Sequence, residues 1–274
     1  MSSDAPKLSE GAPKEALEGA LREAAALRIN DDAVFVADAH WKAGDEGLLA
    51  CLDSLQCSQV FLMGDIAQML VGNLATSTES NKALLECIQN LSKRSCVYWL
   101  EGNHDFGLEA LGSALAQVRF IPRARQPLIA TYRGQIVSLA HGDLFLNKRY
   151  RFYIGVLNSR FGLSVLKAID WLSRGWVYRA LQAGIDSKHI RAFRGEYEEF
   201  CARRAQSYQT YFLKRYKALP HIIIEGHFHL GREMWLEAGG GRVFYACLPS
   251  FYIDGSIFRL QFGICQSQTR GKNG

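Results

Sequence analysis

Short runs of apolar, β-branched-rich residues punctuate the chain, and each ends beside a glycine, an acid or a histidine. They are Val34-Phe35-Val36-Ala37, Val60-Phe61-Leu62-Met63, Val97-Tyr98-Trp99-Leu100, Ile136-Val137-Ser138-Leu139-Ala140 and Ile222-Ile223-Ile224. The runs do not alternate apolar with polar, so they predict strands buried on both faces. Leu48 to Leu55 and Asn81 to Leu91 carry helical spacing, which gives a β-α alternation. Pro127 to Tyr132 and Gln135 to Ala140 flank Arg133-Gly134 and predict a hairpin. Arg242 to Leu248 and Ser256 to Phe262 read as two further strands, the first entered through Gly239-Gly240-Gly241. Near the start, Leu17, Leu21 and Leu27 with Ala20 and Ala24 predict an amphipathic helix over Pro13 to Arg28. The expected class is α/β, a two-sheet sandwich with helices outside.

Composition narrows this only a little. A chain of 274 residues, 48% hydrophobic and 22% charged, can bury a sizeable core and does not read as disordered. Its seven cysteines form no Cys-x-x-Cys pair, which predicts reduced, buried thiols and a reducing compartment. The amino terminus lacks the basic-then-apolar layout of a signal peptide, and no stretch has the length of a membrane span. Residues 1–30 read as a polar extension, partly helical or disordered, and 266–274 as a frayed tail.

The candidate chemistry lies where the apolar runs end. In order come Asp38-Ala39-His40, Gly64-Asp65, Gly102-Asn103-His104-Asp105, His141-Gly142 and Gly226-His227-Phe228-His229. Taken singly, an Asp-x-His is usually a turn, Gly-Asn-His-Asp a helix cap, and Gly-His-x-His a surface loop. Taken together, they place oxygen and imidazole donors beyond the carboxyl ends of several strands, where open α/β sheets hold their sites. Asp38, His40, Asp65, Asn103, His141, His227 and His229 are seven donors without a thiolate, too many for one ion. They suit two borderline divalent cations sharing a carboxylate. His189 and His221 fall outside the motifs and read as surface or packing residues.

One segment is not needed by that centre. Leu144 to Pro220 carries 15 Lys/Arg against five acids, a balance of 15 − 5 = +10 in a chain whose total is +5. It also holds Trp171, Trp176 and Tyr178, and Phe161, Val165, Ile169 and Leu172 fall on one helical face. The expected organisation is a core over 31–143 and 221–265 with a helical cap over 144–220. Three readings of the cap stay open. It is a packed insertion with a solvated basic face, a nucleic-acid surface, or an apolar groove for acyl chains with a basic rim on anionic lipid. Its apolar content favours the third, and no nucleic-acid partner is expected.

With these motifs the chain resembles the calcineurin-like metallophosphoesterases. That resemblance implies a four-layer β-sandwich flanked by helices and two divalent ions, with no covalent intermediate. Asp38, His40 and His229 would hold one ion, Asp65 would bridge, and Asn103, His141 and His227 would hold the second. Such ions activate water and neutralise phosphoryl oxygens. His104 would act on the leaving group, with Asp105 orienting its imidazole. A basic helical cap between the His-Gly-Asp and Gly-His-x-His motifs is similar to that of the UDP-2,3-diacylglucosamine diphosphatases of lipid A biosynthesis. Gly64-Asp65-Ile66, Leu70-Val71-Gly72, Asn103-His104-Asp105-Phe106 and Tyr252 to Leu260 share that likeness. It implies manganese, release of UMP and 2,3-diacylglucosamine 1-phosphate, and a cytoplasmic enzyme resting peripherally on the inner membrane. Asn103, His104, Arg149, Arg151 and His227 would contact substrate. The chain departs from that pattern at Ala67-Gln68, where an aromatic and an acid are usual, and at His104, where many members carry Arg. A metallophosphoesterase acting on nucleotides, nucleic acid or phosphoproteins, and a non-catalytic protein-binding scaffold of the same fold, remain the alternatives.

Overall fold

The structure, a computed structural model, describes residues 27–187, 193, 195–238 and 241–260. The helix expected over Pro13 to Arg28 lies outside these residues except at its end, as do His189 and the tail 266–274. Four parallel strands form one sheet in the order β1 (Val34–Val36), β2 (Gln59–Leu62), β4 (Cys96–Leu100) and β6 (Arg119–Ile121). Their residues alternate between two buried faces. Val34, Val36, Val60 and Leu62 pack with Leu48 and Leu52 of helix α1 (Glu46–Ser54) and with Leu84, Ile88 and Leu91 of helix α3 (Lys82–Ser92). Phe35, Phe61 and Tyr98 point to the other side and stack across the strands, with ring centroids 4.8 and 4.9 Å apart. Full burial of each such side chain contributes about 1.5–3 kcal/mol.

That second face meets a mixed sheet ordered β10 (Arg232–Ala238), β11 (Gly241–Cys247), β9 (Ile222–Glu225), β8 (Gln135–Ala140) and β7 (Leu128–Tyr132). The expected hairpin is β7–β8, and its turn places Arg133 at φ 48° and Gly134 at φ 80°. Two left-handed residues in a row match the twist of antiparallel strands. The strand expected at Ser256 to Phe262 does not form among the described residues. Helix α8 (Phe251–Asp254) precedes it, and among the described residues only Phe258 bridges to Phe35, each donating its N–H to the other's carbonyl at 2.9 Å.

The stretch 144–220 divides into two kinds of helix. Helix α7 (Tyr197–Tyr216) buries Cys201, Ala205, Tyr208, Phe212 and Tyr216, a stripe spaced by about one turn, against the outer face of the mixed sheet. It therefore forms the fourth layer of the sandwich rather than part of the cap expected over the whole stretch. Helices α4 (Lys148–Leu157), α5 (Arg160–Leu172) and α6 (Trp176–Asp186) stand apart from that sandwich. Leu157, Leu163, Leu166 and Tyr178 pack on a small parallel ribbon of β3 (Leu70–Val71) and β5 (Asp105–Phe106). Tyr178 donates to the Met69 carbonyl at 2.7 Å, and Asp170 accepts from the Thr76 N–H in the first turn of helix α2 (Ala75–Ser80). With Leu163, Leu166 and Asp170 turned inward, the apolar face of Phe161, Val165, Ile169 and Leu172 is turned to solvent.

Candidate metal centre

Asp38 follows β1, Asp65 follows β2, Asn103 follows β4, His141 follows β8 and His227 follows β9, so both sheets deliver donors to one end of the sandwich. The turns that do this are tight. Asp38, His40, Asp65, His227 and His229 all have φ between 45° and 69°, a region few side chains tolerate. The donors themselves take the left-handed conformation, as does Gly64 at φ 90°. Glycine also makes room. A Cβ on Gly64 would lie 2.5 Å from Nδ1 of His141, and one on Gly226 2.8 Å from Oδ2 of Asp38.

All seven candidate ligands come together, and His104 joins them. Asp38, His40 and His229 form one group whose donor atoms lie within 4.8 Å of one another; Asp65, His141 and His227 form another; and Asp65 also groups with His40 and His104. His229 Nε2 lies 3.5 Å from Asp38 Oδ1, and His141 Nε2 lies 3.5 Å from Asp65 Oδ2. His141 Nε2 is also 3.1 Å from His227 Nδ1 and 3.2 Å from Asn103 Oδ1. The Met63 carbonyl faces Nδ1 of His141 at 3.1 Å and can only accept, so in the neutral, ligating form of the ring the proton belongs on Nδ1 and the lone pair on Nε2. The Gln68 carbonyl does the same for His104 at 2.7 Å.

The donor set fits a cation-binding role. Asp38 Oδ1 and both ring nitrogens of His40 are buried without a hydrogen-bond partner, and such groups are costly unless something else satisfies them. Burial lowers His40 to about 4 and His227 to about 4, leaving neutral imidazoles free to ligate. Burial alone would also lower His141, but Asp65, Asp143 and Asp38 outweigh it and raise the ring to about 9. Burial pushes the Asp65 carboxyl up, yet His141, His104 and His40 hold it below the usual carboxylate range. The pattern is that of a negative pocket open to positive charge. Its residues fit two adjacent ions with Asp65 between them.

One expectation is corrected. Asp105 does not orient His104. Its oxygens accept from the N–H groups of Asp65, Gly102 and Ile66 and from Trp99 Nε1, so it shapes the turns and has nothing left for the imidazole. Burial, with the Asp65 charge, raises Asp105 to about 7, against the pull of those backbone donors. Arg149 and Arg151 are exposed on α4, and among the described residues neither bonds a residue of the centre. Several contributors escaped sequence reasoning. Gln126 accepts from the His141 N–H at 2.8 Å and donates to the Glu101 carbonyl. Asp143, fully buried, accepts from Arg123 and Tyr150. Glu225 ends the apolar run Ile222–Ile224, and an acid in a strand buried on both faces was a readable signal.

The calcineurin-like phosphoesterase family model matches residues 33–231. The chain belongs to the calcineurin-like phosphoesterase family. It is thus a metal-dependent phosphoesterase, a hydrolase of a family that generally binds two divalent ions. Among solved structures the chain is similar to a phosphopantetheinyl hydrolase from Mycobacterium tuberculosis. Identity there is 13% and the TM-score 0.39, over 89% of this chain and 98% of that one. It is also similar to a single mutant of Vps29 from Entamoeba histolytica, at 11% identity and a TM-score of 0.30, over 78% of this chain and 73% of that one. No curated protein sequence matches the chain.

Proposed function

We propose that this hydrolase acts on an amphipathic lipid carrying a phosphoanhydride. Specifically, it would split UDP-2,3-diacylglucosamine into UMP and 2,3-diacylglucosamine 1-phosphate while resting on an anionic membrane surface. The observation that carries this reading is the outward face of the cap. Phe161 is 76%, Trp171 78% and Leu172 73% exposed, beside Phe152 and Trp176, on helices that also carry Lys148, Arg149, Arg151 and Arg160. Large rings and leucines left in water next to basic residues suit the boundary of a lipid layer. No helix among the described residues is long and apolar enough to cross a membrane, so contact through this face would be peripheral.

Two divalent ions, manganese in our reading, would supply water activation and neutralisation of phosphoryl charge when bound. Asp38, His40 and His229 would hold one, Asn103, His141 and His227 the other, with Asp65 shared. His104 enters the same space with Nδ1 donating to Gln68, so Nε2 would face a phosphoryl or leaving oxygen and donate to it as the doubly protonated ring. Asn103 and His227 also border the space where the phosphate would sit. The test is a substrate panel in mixed micelles with manganese, with and without chelator. Cleavage of the nucleotide-linked lipid should far exceed that of soluble nucleotides, nucleic acid and phosphopeptides, and should vanish on chelation. Faster turnover of any soluble substrate would sink the lipid reading and leave the metallophosphoesterase one standing.

A further inference from the structure

Behind the two loops that carry His141 and His227 lies a buried charge pair that bonds none of the donor atoms. Arg204 comes from α7, and Glu225 is the last residue of β9, one residue before Gly226-His227. The guanidinium donates through Nε to Glu225 Oε1 at 2.8 Å and through Nη2 to Oε2 at 2.6 Å. The same group donates through Nη2 to the Gly142 carbonyl and through Nη1 to the Leu144 carbonyl, both at 2.8 Å. Tyr208 and Tyr245 hydroxyls complete the shell of Glu225. The Phe228 ring lies 4.9 Å from the guanidinium carbon.

We infer that Arg204 is a positioning residue for the second ion, the one assigned above to Asp65, Asn103, His141 and His227; this rests on the two-ion reading. Its planar fork spans two loops. One hand holds the carbonyls just after His141, the other the acid just before His227. These loops already abut, with the Gly226 N–H on the His141 carbonyl at 2.7 Å. Arg204 fixes the remaining freedom, the separation of the two imidazoles whose nitrogens stand 3.1 Å apart. Asp38, His40 and His229 receive no bond from this group, so the first ion is predicted to be indifferent to it. Lysine at 204 keeps the charge but cannot hold four acceptors in one plane.

Manganese titration of the metal-free full-length protein, followed by electron paramagnetic resonance, separates the two ions. A coupled pair and a lone ion give different spectra. Arg204→Lys should weaken the second ion by roughly 10–100-fold, as loss of a residue behind a ligand typically does. Its spectrum should become that of a lone ion at the first site, matching Asn103→Ala and differing from the lone second-site ion left in His229→Ala. If Arg204→Lys fails to fold, Tyr245→Phe removes one Glu225 partner without changing shape and should produce a smaller loss confined to the same ion. Equal weakening of both ions, or a lowered melting temperature with both affinities intact, would mean that the pair only supports the fold. A wild-type protein that takes up fewer than two ions would overturn the two-ion reading itself.

Discussion

His104 sits between ligand and catalyst, and its surroundings decide which it is. Its backbone N–H bonds Asp65 Oδ1 at 2.8 Å, and its ring is fixed by a carbonyl. Neither contact requires an ion. His104→Ala should therefore retain two metal equivalents while kcat drops by about 10²–10⁴, the range for a positioned acid–base group. Elemental analysis beside steady-state kinetics checks this, and loss of an ion with no separate rate defect would reassign the residue as a ligand. His221 is a simpler case. Burial lowers its pKa, and Nδ1 accepts from the Ile136 N–H at 3.1 Å, which requires the neutral ring. The unfolded chain therefore binds the proton more readily, near the ordinary value of 6.5. The stabilisation is present above pH 6.5 and is lost as the pH falls through the lower, folded value. The melting-temperature difference between wild type and His221→Gln should shrink on that acid side; a difference independent of pH would contradict the assignment.

At the scale of elements, the strands were legible because each is buried on both faces and so reads as an unbroken apolar run. The ligand motifs were legible because each stands where such a run stops. Helices gave less. The face Phe161, Val165, Ile169 and Leu172 has the periodicity of a buried stripe, yet it points outward. The inward contacts Leu163, Leu166 and Asp170 also fall at helical spacing. Periodicity cannot choose between two apolar faces of one helix; only the partner ribbon does. Nor could it show that α7 belongs to the sandwich, since its stripe mixes Cys, Ala and Tyr with the arginine that reaches Glu225. The outward face has a measurable correlate. Sedimentation with anionic vesicles should fall when Phe161, Trp171 and Leu172 become serine, and that loss should persist at high salt. Neutralising Lys148, Arg149 and Arg151 should remove a salt-sensitive part, about 1 kcal/mol for each basic residue near the lipid. Vesicle binding unchanged by both sets would place the contact elsewhere.

For the whole molecule, ions that bind only the folded chain add to its stability by mass action. Manganese at a hundred times its dissociation constant should contribute about 2.7 kcal/mol per site. Chemical denaturation with and without chelator measures this, and coincident curves would show that no ion is held. The left-handed turns at Asp38, His40, Asp65, His227 and His229 bear on the same balance from the opposite side. Each such conformation costs on the order of 1–3 kcal/mol when nothing compensates it. Glycine would relieve the strain and abolish the donor together. His229→Gly should therefore melt higher than wild type when both are metal-free and lower when both are given manganese. A crossing of that kind would mark the centre as a place where durability has been surrendered for reactivity, so a search for hardier variants of this enzyme would tend to find inactive ones first.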